Sequence, residues 1–466
     1  MRTTAFLNDL FQSISEHGRS VLGQGNVIAR LTDALSLNIL RGRSRASANA
    51  SPEDLLLALE DLLSLRGEVS GVALARDILD RLAAMSPQER QAFLTAFAER
   101  FAVDTSKLDA AIAAYQAKPD HATARAIHDD AEPRTQEVLR RLNAAPGATA
   151  SLVRLREDLL RMKEKTSANK ALDRDFRHLF GSWFNRGFLV MRRIDWGTPA
   201  NILEKIIAYE AVHSINDWDD LRRRLVPGDR RCFGFFHPAL ADEPLIFVEV
   251  ALTAAIPEAI GPVLASEREA IAPEAANTAV FYSISNCQDG LRGISFGNDL
   301  IKQVVDDLRA QLPNLTQFVT LSPVPGFRKW LEGELADRDS SLLDGRERAV
   351  LGALAEPAIS KLEVDALTTA AAKYFLVAQS AQGKTIDPVA RFHLGNGARL
   401  ERINPGGDLS EKGWAQSYGL MVNYLYELKD LIMNHEAFAQ QGLVAASPEI
   451  IRRAGAAVKT SKHKPK

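Results

Sequence analysis

In the first 170 residues, apolar side chains recur at spacings of three and four, the period of helices buried along one face. Ser51-Pro52-Glu53-Asp54 supplies an N-cap, a proline for the first turn and a capping acid ahead of the leucine-rich run Leu55–Leu65. Ser86-Pro87-Gln88-Glu89 repeats the device before Phe93, Leu94, Phe97 and Phe101, which share a helical face. The same spacing predicts helices near Leu74–Met85, Thr105–Tyr115, Arg134–Leu142 and Ser151–Lys165, punctuated by Pro146-Gly147 and similar breaks. Residues 1–171 therefore read as an all-helical bundle domain. Its expected task is packing or self-association, with covering of an active site as the alternative.

After about Ala171 the pattern changes. Aromatic residues thicken at Phe176, Phe180, Trp183, Phe184, Phe188 and Trp196, and β-rich runs begin. Strands are predicted over Arg231–Phe236, Leu245–Leu252 (interrupted by Glu249), Thr278–Ser285 and Gln317–Leu321. Between the last two, Asn298–Leu312 carries Leu300, Ile301, Val304, Val305 and Leu308 on one helical side. Strand, loop, helix, strand is a βαβ unit with a right-handed crossover and parallel strands. Arg346–Phe375 returns to helix. The expected class is α+β, with a second domain over 172–458 and a basic tail over 459–466.

Composition narrows the function. The chain has 466 residues, 46% hydrophobic and 25% charged, with 57 Lys plus Arg against 59 Asp plus Glu, a net charge of −2. Those proportions exclude a disordered or collagen-like chain, and the missing basic excess argues against a nucleic-acid binder. No apolar run reaches the roughly 18 residues of a membrane span, and the N-terminus lacks a signal-peptide pattern. Cys232 and Cys287 have no C-x-x-C partner, and no His, Cys and carboxylate set has metal-ligand spacing. The expectation is a cytoplasmic protein with neither metal nor membrane partner.

Two segments carry candidate chemistry. Gln288-Asp289-Gly290-Leu291-Arg292-Gly293-Ile294-Ser295-Phe296-Gly297-Asn298 joins a strand to a helix, where glycines let backbone approach a ligand and free N–H groups favour an anion. Phosphate binding and an empty glycine turn are both open readings. The chain has neither a P-loop nor a Rossmann glycine pattern. Gly293-Ile294-Ser295-Phe296-Gly297 matches the nucleophile elbow of serine hydrolases, although the strand signal ends near Ser285, further from Ser295 than an elbow places its serine, so the hydrolase ranks as a minor alternative. Leu321-Ser322-Pro323-Val324-Pro325-Gly326 fixes Ser322 in a rigid turn after a parallel strand, where open sheets bind ligands. Capping of a Pro323–Leu331 helix is the alternative role for Ser322. His393, beside Gly395-Asn396-Gly397, is the one histidine in an irregular, site-like context, and Tyr426 follows in an aromatic-rich segment.

These residues form longer patterns. Tyr282-Ser283-Ile284-Ser285 with Gly290, Gly293, Gly297 and Leu300-Ile301-Lys302 resembles the malonyl-CoA decarboxylase family. So do Leu321-Ser322-Pro323, Pro325-Gly326-Phe327 and Trp330-Leu331, then Phe392-His393-Leu394 with Asn396-Gly397-Ala398, and Gly419-Leu420-Met421 with Asn423-Tyr424. His178-Leu179-Phe180 with Ser182-Trp183-Phe184-Asn185 is a further match, and the helical half resembles the family's N-terminal domain by layout. The resemblance implies a helical domain followed by a GNAT-type acetyltransferase-like catalytic domain. It implies a Ser322–His393 catalytic pair with Tyr426 in the same site, and a homo-oligomer, dimer or tetramer. The glycine loop, Arg292, Gly293, Ile294, Ser295, Phe296, Gly297 and Asn298, is expected to grip coenzyme A. Animal relatives carry targeting signals, including a peroxisomal ending that this chain lacks, which implies a bacterial-type cytoplasmic enzyme.

The expected reaction turns malonyl-CoA into acetyl-CoA and CO2 with no cofactor beyond the coenzyme A of the substrate. His393 is expected to act as general acid, because an ordinary imidazole titrates near 6.5. Asn396 and Tyr426 are candidate donors to the enolate oxygen, which the sequence leaves open. The alternatives are a CoA-dependent acyltransferase on the same fold, a serine hydrolase and a helical interaction protein with a non-catalytic CoA domain.

Overall fold

A computed structural model of the chain describes residues 51–65, 67–294, 300–355, 360–380 and 385–455. Two compact units emerge. One is drawn from the chain up to Ser151 together with Arg161–Leu172, the other from Leu152–Leu160 together with the chain from Asp173 onward. The tail at 459–466 lies outside the described residues.

The first unit is helical, with helices over Pro52–Ser64, Glu68–Ala84, Pro87–Arg100, Thr105–Ala117, His121–Asp130 and Arg134–Asn143. Both expected capping boxes form: Ser51 with Asp54, and Ser86 with Glu89. Phe93, Phe97 and Phe101 are buried and packed ring to ring, with centroids 5.7 and 5.4 Å apart. Each such side chain contributes roughly 2–3 kcal/mol through burial. The His121–Asp130 helix has no fully buried residue and rests on an Asp120–Thr123 capping box, so no apolar stripe announced it.

Among the described residues the second unit is built on eight strands: β1 (Val190–Ile194), β2 (Arg230–Phe236), β3 (Pro244–Thr253), β4 (Thr278–Asn286), β5 (Gln317–Thr320), β6 (Ser322–Pro323), β7 (Arg399–Asn404) and β8 (Met421–Leu425). Their order is β1-β2-β3-β4-β5-β8-β6, with β7 on β8. Strands β1 to β4 pair antiparallel, whereas β4 and β5 run parallel. The Leu300–Gln311 helix makes their crossover and buries Leu300, Ile301, Val304, Val305 and Leu308. This is the βαβ unit expected from the sequence. On one side of the sheet Ile202, Leu203, Ile206, Leu221 and Leu225 pack against Cys232, Phe236, Phe247 and Cys287. Both cysteines are buried and unpaired.

One irregularity positions the site. Strands β4 and β5 stay paired only from Thr278↔Gln317 to Phe281↔Thr320. Beyond that point β4 runs on to Asn286 against β3, while the chain after β5 swings across so that Ser322 pairs with Val422 of β8. Between Phe281 and Ser283 the β4–β3 register also shifts, and such a bulge bends a strand. The sheet therefore splits at the carboxyl ends of its two parallel strands, where open sheets bind ligands. Ser322 stands at the fork. The glycine turn follows β4 on the other limb.

Candidate active site

Ser322 is a strand residue and caps no helix. The next helix is Phe327–Ala336, with Gly326 at its N-cap. Two residues back along the same face, Thr320 is fully buried and its Oγ1 accepts both the Ser322 hydroxyl (2.8 Å) and the Tyr424 N–H (3.2 Å). His393 comes from the Pro388–Gly395 helix, which starts on Asp387, whose carboxylate accepts the Ala390 N–H at 2.8 Å. Tyr374 OH donates to the same carboxylate at 3.3 Å. The helix end thus directs the imidazole at β6: Nε2 lies 3.2 Å from Ser322 Oγ, and Nδ1 lies 2.8 Å from Tyr426 OH. Tyr424 stacks on the ring, with centroids 4.7 Å apart. The result is a continuous buried chain, Tyr426–His393–Ser322–Thr320. Its hydrogen bonds close when Tyr426 donates to Nδ1, Nε2–H donates to Ser322 and Ser322 donates to Thr320, which assigns a neutral, Nε2-protonated imidazole.

Burial decides the protonation state. His393 is 3% exposed, and desolvation drives its pKa down from 6.5 to about 3. The ordinary imidazole pKa, on which the expected general-acid role rested, is thus not retained. At neutral pH His393 therefore carries one ring proton. The buried Tyr426 hydroxyl is shifted the other way, well above its usual value, by the same loss of solvent.

Asn396 lies at the C-cap of the His393 helix, where its amide donates to the Phe392 carbonyl at 2.7 Å. Its side chain has no described hydrogen bond to Ser322, His393 or Tyr426, and only its backbone N–H meets His393, at the carbonyl oxygen 3.1 Å away. The buried amide near the chain is Asn423, whose Nδ2 donates to the Thr320 carbonyl at 2.9 Å and which fixes the strand beneath the serine. Thr320 and Asp387, which touch this chain of groups, were not singled out in the sequence, and Asn423 and Tyr424 were noted there only as part of a longer pattern. Thr320 was legible from its place two residues before Ser322 on an alternating strand; Asp387 was legible as an N-cap before a proline.

The glycine turn is anchored from below. Arg156, 1% exposed, donates to the carbonyls of Gly290 (2.6 Å) and Arg292 (3.0 Å) and pairs with Asp173 at 2.9 Å. Those two carbonyls are therefore turned inward. Gly290 serves packing, since a Cβ there would stand 2.0 Å from the Val153 carbonyl oxygen. Gly293 has φ +78°, where glycine is favoured, and a Cβ there would meet Arg177 Nε at 4.0 Å. Ile294 is nearly buried, and Arg292 is exposed and paired with Asp289 at 2.6 Å. Ser295, Phe296, Gly297 and Asn298 lie outside the described residues, and with them the elbow-like serine. Among the described residues no group of three or more His, Cys, Asp or Glu is placed to hold a metal ion, and no helix is long and apolar enough to cross a membrane.

A helical unit followed in the chain by a mixed sheet, forked at a parallel pair and carrying a buried Ser–His–Tyr chain, is the α+β arrangement expected from the sequence. Residues 187–464 match the malonyl-CoA decarboxylase C-terminal domain, and residues 101–184 the malonyl-CoA decarboxylase N-terminal domain. The mitochondrial malonyl-CoA decarboxylase of the goose Anser anser anser is 35% identical over 349 residues, 68% of this chain and 69% of that protein. The crystal structures of malonyl-CoA decarboxylase from Rhodopseudomonas palustris and Agrobacterium vitis are each 54% identical over 86% of this chain. They are covered over 99% and 100% of their own lengths, with TM-scores of 0.83 and 0.81. The chain belongs to the malonyl-CoA decarboxylase family.

Proposed function

We propose that the family's reaction, malonyl-CoA plus a proton to acetyl-CoA plus CO2, runs at Ser322 and His393. The observation that carries this reading is the 3.2 Å contact between Ser322 Oγ and His393 Nε2, buried at the fork of the parallel strands. The substrate holds a carboxylate one carbon from a thioester carbonyl. When the carboxyl bond breaks, its electron pair passes into that carbonyl as an enolate, so the thioester itself is the electron sink and the chemistry calls for no metal or organic cofactor. The protein must align the breaking bond with the carbonyl π system and deliver one proton to the α-carbon.

Ser322 is the proton-bearing group nearest the fork, and we assign it to the malonyl carboxylate and then to the α-carbon. A neutral His393 gives its Nε2 proton to the Ser322 oxygen as Nδ1 takes the proton of Tyr426, and water then reprotonates the phenolate, so the imidazole works as a relay and never as a standing imidazolium. The closed hydroxyl–imidazole–phenol chain supports this assignment. Dryness helps, because a carboxylate loses more on leaving water than the dispersed charge that replaces it. The turn at Arg292, Gly293 and Ile294 is assigned to coenzyme A. Cytoplasmic placement and self-association are further parts of the proposal, and light scattering on the purified chain reads the latter.

Incubation with malonyl-CoA and no acceptor tests the reading. The expected result is equal yields of acetyl-CoA and CO2. Inertness until an amine is supplied would indicate the acyltransferase, and release of malonate with free CoA the hydrolase.

A further inference from the structure

A cavity of about 460 Å3 beside the glycine turn plays no part in the proton chemistry above. Its described lining is Arg174, Arg177, His178 and Gly181 from the Ser167–Trp183 helix, with Gly293 and Ile294 from the turn. Its size is that of a ligand pocket. Positions 174, 177, 178 and 181 stand at i, i+3, i+4 and i+7, a single helical face. The other face buries Phe176, Leu179 and Phe180, so the core accounts for those residues and leaves the cavity face unexplained. That face holds two exposed guanidinium groups, an exposed imidazole and a glycine. Glycine is disfavoured inside a helix, and at 181 a Cβ would meet nothing within 4 Å, so close packing does not demand it.

The surroundings concentrate positive charge. Arg156 lies buried under the turn, and both Arg177 and Arg292 are close enough to disfavour its charge. The carboxylates at hand are engaged, Asp173 with Arg156 and Asp289 with Arg292. Like charges gathered around a concavity, with an open backbone at its edge, create a potential that an anion relieves. The turn's carbonyls at Gly290 and Arg292 face inward to Arg156, away from such a ligand.

We propose that Arg174, Arg177 and His178 hold a phosphate group of the coenzyme A tail, with Gly293 admitting its approach and Gly181 leaving it room. The proposal rests on the acyl-CoA reading and extends it from backbone to side chains. The helix lies far upstream of the glycine turn in sequence, so no local motif announced the pairing.

The test compares wild type with Arg174→Gln/Arg177→Gln on malonyl-CoA and on malonyl-pantetheine, which carries the same thioester and no phosphate. For the double variant KM for malonyl-CoA should rise by about tenfold for each guanidinium–phosphate hydrogen bond removed. Turnover number, and every constant for malonyl-pantetheine, should stay as in wild type. Gly181→Glu, which sets a carboxylate on the same face, should show the same selective loss, and calorimetric titration with CoA reads it without turnover. With malonyl-3′-dephospho-CoA, equal KM values for variant and wild type identify the 3′-phosphate as the held group, and a persisting difference identifies the pyrophosphate. An unchanged KM for malonyl-CoA in both variants overturns the proposal, as does equal loss on both substrates. A wild-type protein inert towards malonyl-CoA would instead sink the acyl-CoA reading itself.

Discussion

At the scale of single residues, environment overrides side-chain type. An imidazole in water would be about half protonated near pH 6.5; His393, walled in by Tyr424, Tyr426 and Ser322, is held neutral until about pH 3. The pH profile of kcat/KM should therefore show no inflection from this histidine near 6.5, and activity should persist into mild acid for as long as the protein stays folded. A histidine-type limb near neutrality that vanishes in His393→Asn would contradict the relay. The sequence made Ser322, His393 and Tyr426 visible as residue types in unusual local settings. Their protonation states were not visible, because desolvation depends on neighbours brought in from distant segments. Asn396 shows the same limit: glycines on either side marked an irregular backbone, which proved to be a helix terminus where the amide bonds Phe392.

At the scale of elements, caps and strand divergence place the chemistry. The His393 helix depends on Asp387, which is fully buried, caps Ala390 and accepts Tyr374. Asp387→Ala removes the cap and strands two buried donors, for an expected cost of about 2–4 kcal/mol in urea unfolding. Turnover should drop as the imidazole loses its aim. Asp387→Asn, which still caps, should recover most of both; failure to recover would mean that the charge, and not the cap, is what the helix needs. Helices with an apolar stripe and a capping box, such as Pro52–Ser64 and Pro87–Arg100, and the β4–helix–β5 crossover were legible. Strands β7 and β8 were not. Arg399–Asn404 alternates weakly, and Met421–Leu425 is buried on both faces, so neither shows the period-two pattern that marks a half-exposed strand. The fork was illegible for a different reason: it is a relation between strands rather than a property of either.

At the scale of the whole molecule, buried ionisable groups tie stability to pH. His393 and His213 are lowered from 6.5 to about 3 and about 4, so unfolding takes up protons between those values, and the stability they contribute is complete above 6.5 and lost as pH falls. Glu249 acts in the opposite sense. Burial raises it from 4.5 to about 7 despite Arg224 at 3.2 Å, so its contribution is complete below 4.5 and lost as pH rises towards 7. Two histidines against one carboxyl leave a net uptake of about one proton on unfolding near pH 5, so these groups should raise stability by about 1.4 kcal/mol per pH unit there, the slope shrinking towards zero as pH approaches 6.5. Urea unfolding at those two pH values checks the sign, and a flat or falling trend would refute these assignments. The most direct measurement on the protein as a whole is acetyl-CoA formation from malonyl-CoA with chelator present and no cofactor added, run on wild type, Ser322→Ala and His393→Asn beside CoA titrations of all three. Wild type should turn over while both variants lose on the order of a hundredfold in rate or more with CoA affinity unchanged; a variant that keeps full turnover would show that the proton comes from elsewhere.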